Sequence, residues 1–497
     1  MRIGDHLLSI TALQDAVIAE RGFPRQLVPA PVTYAVLSRN EDVARWASRR
    51  LRGDFQPVPE QIVPVRKHRN GVRPIAELAL RDRLAFRALV NRWKGDIPQP
   101  DRSATAYATF KRAPLEEECS HIVTADIVAC YQYIDYDLLG RELIAQTGDV
   151  DGVDAVIGLL LGITGRRFGL PQQSAPSDVL AEVYVDVLER ALLRRGLRVW
   201  RYNDDFLIAS QSWSGALEAI DILEENARKI GLTLNDSKTL IQRRRTYETQ
   251  LNMRQHLFQE IAEEAQLDLT EIDIGPYGDT IASSPYPDDV QTAAYLRVLE
   301  LWSDRTLAAS KKQAVLQLIP SAFSHLAGLP FHNEVVPTCM QMLRKEQTMT
   351  PHIARYLSYL PDESHRYTLD RFTELLEDNA YMTGWQALWL QDPFANYKDF
   401  PHGRGGERRR EWLRSVFTST RAGEIVQSAA AYTLARHGAI TVDEVLGGYD
   451  RASPISRPVY SAALGALGTR ASRGRVRSVT SEDELHRWTY DWAAEQQ

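Results

Sequence analysis

RYNDDFLIAS, residues 201–210, places two adjacent carboxylates, Asp204 and Asp205, in a stretch whose flanks favour burial. Val199 and Trp200 lead in, and Phe206, Leu207, Ile208 and Ala209 follow. Side chains alternate along a strand, so two neighbouring acids share one side only at a turn. The expectation is a hairpin with Asp204 and Asp205 at its tip and Tyr202 and Phe206 packed beneath. An Asn-Asp-Asp triplet is also common material for a polar turn between strands, so alone it decides little. Adjacent ionised acids repel, and burying either one unpaired is costly, so something positive belongs nearby.

A second stretch, TADIVACYQYI (124–134), puts a third carboxylate, Asp126, into another apolar run. The 78 residues between Asp126 and Asp204 leave room for two helices and a crossover that bring the strands side by side. Three converging carboxylates make a hard oxygen site suited to Mg²⁺. Two such ions roughly 3.5–4 Å apart are the clamp used for phosphoryl transfer in polymerases. The cofactor expected is therefore a pair of Mg²⁺ ions, with Mn²⁺ as the alternative.

Length and composition set the number of domains. A chain of 497 residues, 44% of them hydrophobic, exceeds one core and predicts two or three domains. Nothing approaches 18 consecutive apolar residues, and the opening MRIGDHLLSITALQD is charged early, so a cytoplasmic protein without membrane partners is expected. Cys119, Cys130 and Cys339 are odd in number and widely spaced, which argues against a disulfide framework or a zinc site. Cys119 and His121 together are only a two-ligand fragment.

Residues 1 to about 250 mix β-like runs with helical ones. Strands are expected at 122–128 and 198–209, and helices at 178–195 and 215–230. From about 251 onward the pattern is helical, with blocks such as 289–304 and 352–360 separated by Pro320, Pro337, Pro351 and Pro361. The fold class expected is α+β followed by an all-α, HEAT-like array without a strict repeat period. The boundaries read as 1–60 for an N-terminal helical segment, 61–250 for the α+β domain and 251–497 for the helical array.

The net charge of −6 is unevenly spread: residues 44–94 hold thirteen Lys/Arg against four Asp/Glu. Such a run suits a surface facing phosphates, the alternative being a solvated helix face. The basic loops GRGGERRR (403–410) and RASRGRVR (470–477) are read first as solvated, with a second nucleic-acid contact as the alternative.

From about residue 60 to 245 the sequence resembles a reverse transcriptase. YNDD (202–205) matches the family's Y-x-D-D box, and Asp126 with Tyr131 matches its first metal-binding motif. The resemblance implies fingers and palm of a right-hand polymerase. It also implies metal ligation by Asp126, Asp204, Asp205 and the Ile127 backbone, with the three acids catalytic. Tyr131 would be the gate excluding a 2′-hydroxyl, which implies dNTP substrates. GLPQQSAPS (169–177) is similar to the family's G-x-P-Q-G motif and places Gln172 against the incoming nucleotide. RKHRNGVRPI (66–75) is similar to the fingers strands, with Lys67 and Arg73 on the triphosphate, and GLTLNDSKT (231–239) to the motif that ends in a lysine near the site, here Lys238. One departure is Gln173, which stands where the motif has its second glycine and threatens to crowd a templating base.

RPIAELALRDRLAFRAL (73–89), SDVLAEVYVDVLE (177–189) and the helical array together resemble the abortive-infection and unknown-group bacterial reverse transcriptases of antiphage defence. That narrower resemblance implies a single-stranded DNA product, template-independent and protein-primed synthesis, and a homo-oligomer. The priming hydroxyl would come from Tyr34 in PAPVTYAVLSRN (29–40), with Tyr107 as second choice. The alternatives are a templated enzyme copying an associated non-coding RNA and an inactive nucleic-acid-binding scaffold.

Overall fold

Strands β1 (Gln61–Arg66), β2 (Val72–Glu77), β3 (His121–Asp126), β4 (Arg198–Tyr202), β5 (Asp205–Ser210) and β6 (Leu240–Arg243) form two antiparallel sheets. The computed structural model describes every residue except 5, 68–70, 254–272, 275–279, 282–287, 305, 379, 469–473 and 497. Contacts divide the chain into two compact units, Met1–Leu89 with Leu326–Gln497, and Val90–His325. This division differs from the sequence-order partition at 60 and 250, because the β1–β2 hairpin belongs with the C-terminal helices.

The unit Val90–His325 is built on a four-stranded sheet ordered β4-β5-β3-β6. Ile122, Val123, Phe206, Leu207 and Ile208 are almost wholly buried, so β3 and β5 are strands covered on both faces. The register sets Asp126 opposite Asp205, Thr124 opposite Leu207, and Tyr202 opposite Asp205 across the hairpin. Between β3 and β4 run four helices, Cys130–Tyr133, Tyr136–Thr147, Val150–Thr164 and Ala175–Arg194, rather than the two expected. Their starts are marked locally: Asp135 accepts from the Asp137 and Leu138 amides, and Asp149 accepts from Gly152. Trp213–Lys229 covers the sheet after Ser212 caps it through the Gly215 amide.

In the other unit the β1–β2 hairpin has no core of its own. Val63, Val65 and Ile75 pack against Trp385, Leu388, Trp389 and Val426, more than three hundred residues later. Both indoles converge on one carbonyl: Trp385 Nε1 donates to Leu27 O at 2.5 Å and Trp389 Nε1 at 3.0 Å. Trp385→Ala should lower stability by about 3–5 kcal/mol through the cavity and the lost bond, read as a fall in the denaturant midpoint. Helices of the C-terminal region stack on the next but one: Thr350–Ser358 on Gly384–Asn396, then Glu424–Arg436, Arg457–Ala466 and Glu484–Glu495. The result is helical as expected, except for the two-residue strands Asp273–Ile274 and Thr280–Ile281.

Three expectations need correction. Pro320 does not separate helices; it lies inside Ala309–Leu326, where buried Val315, Leu318, Ile319, Ala322 and Phe323 hold the helix together despite the missing donor. The basic run of residues 44–94 lies mostly at the surface, but several of its cations are buried or already paired. Arg83 and Arg87 are buried and paired with Glu20, Arg81 pairs with Asp82, and Arg49 and Arg50 pair with Glu484 and Asp483. The pull of Arg83, Arg87 and Arg25 outweighs burial, the largest influence, and holds the Glu20 carboxyl below its ordinary range. Arg409 of the 403–410 loop is likewise not solvated. It is 1% exposed and donates to the Phe400, Arg404, Asp399 and His402 carbonyls, tying the loop shut. Of the second basic stretch, residues 470–473 lie outside the described residues. Among the described residues no helix is long and apolar enough to cross a membrane.

Candidate active site

The three carboxylates lie close enough to influence one another where β3 ends and the β4–β5 hairpin turns, although among the described residues no three His, Cys, Asp or Glu side chains stand in a ready metal-binding arrangement. Asn203 adopts φ 57°, the left-handed conformation that lets a two-residue turn follow the strands' twist, and Asn is one of the few non-glycine residues at ease there. Asp204 completes the turn and Asp205 opens β5, so the hairpin tip carries both acids as expected. Ile127 locks the turn to β3, its amide donating to Asp204 O at 3.1 Å. Tyr202 packs beneath, its ring 5.1 Å from Tyr107 and 5.8 Å from Phe110, and Phe206 is buried.

Electrostatics mark the cluster as short of positive charge. Burial, then the negative charge of Asp126, pushes the Asp204 carboxyl above its ordinary range. Asp205 is pushed up to about 6, chiefly by burial and also by Asp204 and Asp126, against the pull of Lys111 and Lys238. Asp126 is supported directly: Lys238 Nζ donates to Oδ1 at 2.7 Å and Asn235 Nδ2 to Oδ2 at 3.1 Å. Burial acts to lower the Lys238 pKa, but its bond to Asp126 and the three negative charges prevail and raise it. The segment 231–239 thus reaches the acids as the resemblance implies, and Asn235 also donates its own amide to Asp126 O at 2.8 Å.

Tyr131 is fixed at both ends. Ala129, at φ 48°, turns the chain out of β3 into the short helix Cys130–Tyr133. The phenol donates to Asp178 Oδ1 at 2.7 Å and receives a hydrogen bond from Arg102, whose guanidinium also lies 3.3 Å from the same carboxylate. The loop 169–174 is sewn to this turn: Leu170 N donates to Tyr131 O at 2.7 Å and Gly169 N to Ile134 O at 2.9 Å. Gly169, at φ 92°, could take a Cβ only by pressing it to 3.3 Å from Gln132 O.

Gln172 lies half-buried in that loop. Gln173 holds φ 60°, the conformation for which a glycine is the easy residue, so the substitution keeps the backbone shape at a cost in strain. Its amide is buried with neither atom hydrogen-bonded among the described residues. Ala129, Gln173 and Asn203 are the non-glycine residues with left-handed backbone among those described, and all three sit in the segments that build this site.

Arg201 braces the hairpin from below. Its side chain is 4% exposed, lies 2.5 Å from Glu182 and 2.7 Å from Glu189, and donates to Asn203 O at 3.1 Å. Arg201→Met should cost about 3–5 kcal/mol by stranding two acids, and should lower incorporation by loosening the turn; a melt and a primer-extension assay read the two effects.

Lys67 and Arg73 lie on the hairpin of the other unit. Lys67 N donates to Gly71 O at 2.8 Å just past β1, and Arg73 stands opposite Val65 in β2. Residues 68–70 of the same motif lie outside the described residues. The Tyr34 phenol donates to the Phe23 carbonyl, and burial, the main influence, raises its pKa. Sequence reasoning missed Arg102, Asp178, Asn235, Lys111 and Arg201. Only Asn235 had a signal, its place within the lysine-ending stretch.

Residues 65–259 match the family model described as reverse transcriptase (RNA-dependent DNA polymerase). No curated protein matches in sequence. Similar solved structures include telomerase from Candida tropicalis with a TWJ fragment of telomeric RNA, at 12% identity, TM-score 0.30 and coverage of 76% of this chain and 68% of that one. Apo telomerase from Candida tropicalis gives 12%, 0.30, 80% and 74%. Telomerase from Candida albicans with the same kind of RNA fragment gives 10%, 0.30, 76% and 69%. Likeness at that TM-score carries no weight for function.

Proposed function

Since residues 65–259 form a reverse transcriptase domain and the protein is therefore a nucleotidyltransferase that polymerises nucleic acid, we propose that it makes DNA from dNTPs with two Mg²⁺ ions, without an external template. The observation that carries the catalytic part is the carboxylate trio: three acids brought together, two of them with pKa raised by burial and mutual repulsion. Such acids would suit divalent cations once drawn together around them, because positive charge relieves the repulsion that the fold otherwise bears. Asp126, Asp204 and Asp205 would hold the ions, with the Ile127 backbone alongside. Bound Mg²⁺ supplies charge neutralisation at the phosphates and activation of the attacking hydroxyl. Lys238 holds Asp126 in place and balances part of its charge. Tyr131 bounds the sugar position, Gln172 borders the nucleotide, and Lys67 and Arg73 take the triphosphate.

The finer reading is that of an antiphage, abortive-infection enzyme with a HEAT-like C-terminal region and a homo-oligomeric, cytoplasmic form. The next-but-one helix stacking supports the HEAT-like part. The defence role rests on the sequence resemblance alone. Protein priming from Tyr34 requires its phenol to leave the Phe23 carbonyl, and Tyr107, half-buried beside Tyr202 with Lys111 Nζ 5.2 Å over its ring, is the alternative donor. The deciding experiment incubates purified protein with Mg²⁺ and labelled dNTPs, with and without added RNA or DNA. Protein-linked product without template supports the proposal. Strict dependence on added RNA identifies a templated enzyme, and no product under any condition identifies a scaffold. Proteinase digestion and mass spectrometry then locate the adduct.

A further inference from the structure

A partly open cavity of about 100 Å³ lies in the unit formed by Met1–Leu89 and Leu326–Gln497. Its walls are mainly apolar, with Val36, Ile425, Val459 and Tyr432 among them. Two adjacent residues of the helix Gly384–Asn396 break that pattern. Gln391 is 2% exposed, lines the cavity, and has neither amide atom hydrogen-bonded among the described residues. Asp392 is exposed at the edge of the same space and has no ion-pair partner among the described residues. Only their backbone carbonyls are engaged, by Thr433 and Asn396.

Charge narrows what can enter. The other charged groups in the wall are spoken for: Glu77 pairs with Arg25, and Arg83 pairs with Glu20. Asp392 is thus the one unbalanced lining charge among the described residues, and it repels phosphate. A dNTP, pyrophosphate or nucleic-acid backbone does not fit. A buried amide without partners is expensive to keep, and its unmet donor and acceptor, beside a carboxylate acceptor, complement a planar edge that carries N–H donors next to a carbonyl or ring nitrogen. We propose that this cavity binds an uncharged nitrogen heterocycle of the nucleobase class, its polar edge on Gln391 and Asp392 and its ring among the apolar walls. Guanine suits the pair best, because one carboxylate accepts from its two neighbouring N–H groups while the glutamine amide donates to its carbonyl. The site is separate from the carboxylate trio and does not depend on the polymerase reading.

The test is calorimetric titration of the full-length protein with guanosine in EDTA, with adenosine and cytidine in parallel. Saturable one-to-one binding is expected, weakened tenfold or more by Asp392→Asn and unchanged by Asp204→Asn. Guanosine 5′-triphosphate should compete at least tenfold less well than guanosine. Val459→Trp, which fills the cavity, should abolish binding while the melting curve shows an intact fold, and so covers the case in which Asp392→Asn is unstable. The proposal is overturned if none of the three nucleosides binds, if Asp392→Asn and Val459→Trp bind as wild type, or if Asp204→Asn removes the signal.

Discussion

Asp204→Asn is expected to reduce nucleotide incorporation by about 10³-fold or more while making the metal-free protein more stable. The activity loss follows from removing a charged ligand that supports several kcal/mol of charge stabilisation, each 1.36 kcal/mol being about tenfold in rate. The stability gain follows from the native electrostatics. Asp204 is pushed upward by burial and by Asp126, and Asp205 to about 6 by burial and by its neighbours. For a carboxyl whose folded pKa exceeds its unfolded value, stability is fully present below the unfolded pKa and is lost as pH rises through the folded one. For Asp205 that window runs from about pH 4 to somewhat above 6, and two pH units at 1.36 kcal/mol each give roughly 3 kcal/mol. In EDTA, Asp204→Asn and Asp205→Asn should therefore melt several degrees higher than wild type at pH 8 and no higher at pH 4. Mg²⁺ should raise the wild-type melting temperature at pH 8 and leave the variants nearly unmoved. Full activity of Asp204→Asn with ordinary Mg²⁺ dependence would remove it from the metal site.

Tyr131→Ala is expected to relax sugar discrimination, raising the ratio of rNTP to dNTP efficiency by about 10- to 100-fold, the scale for a steric pocket contact. The alternative is a packing tyrosine, whose loss lowers both efficiencies in parallel and leaves the ratio fixed. The structure adds a second handle. Asp178 and Arg102 hold the phenol from two sides, so Asp178→Asn, which keeps shape and loses charge, should shift the ratio in the same direction by about fivefold, near the net worth of one hydrogen bond. Tyr131→Phe keeps the ring and drops the anchor, so it should resemble Asp178→Asn, and combining the two should add little. A ratio unchanged in Tyr131→Ala would end the gate reading. A changed ratio there with a silent Asp178→Asn would end only the anchoring role.

What local chemistry dictates was open to the sequence. The Asn-Asp-Asp turn, the strand around Asp126 and the helix after Ser212 are written in short-range patterns of burial period and turn residue, and each appears close to where it was expected. The pairing of Asp126 with Asp205 followed because three acids in apolar strands make chemical sense only together. Lys238 was reachable through the resemblance, and its Nζ donates to Asp126.

Tertiary structure alone decided the rest. Whether an arginine faces phosphate or a buried glutamate depends on which helix crosses it, and neither Arg83 nor Arg87 signals Glu20 in its neighbourhood. Arg102 and Asp178 likewise meet at Tyr131 from separate segments, with no period or spacing to announce them. Pro320 reads as a break because a helix is marginal alone, yet five apolar neighbours on its buried face outweigh one missing donor. The β1–β2 hairpin shows the same limit most plainly. Its alternation says that one face needs cover, and only the folded chain supplies Trp385 and Trp389, because burial selects a partner by shape and proximity rather than by position along the sequence.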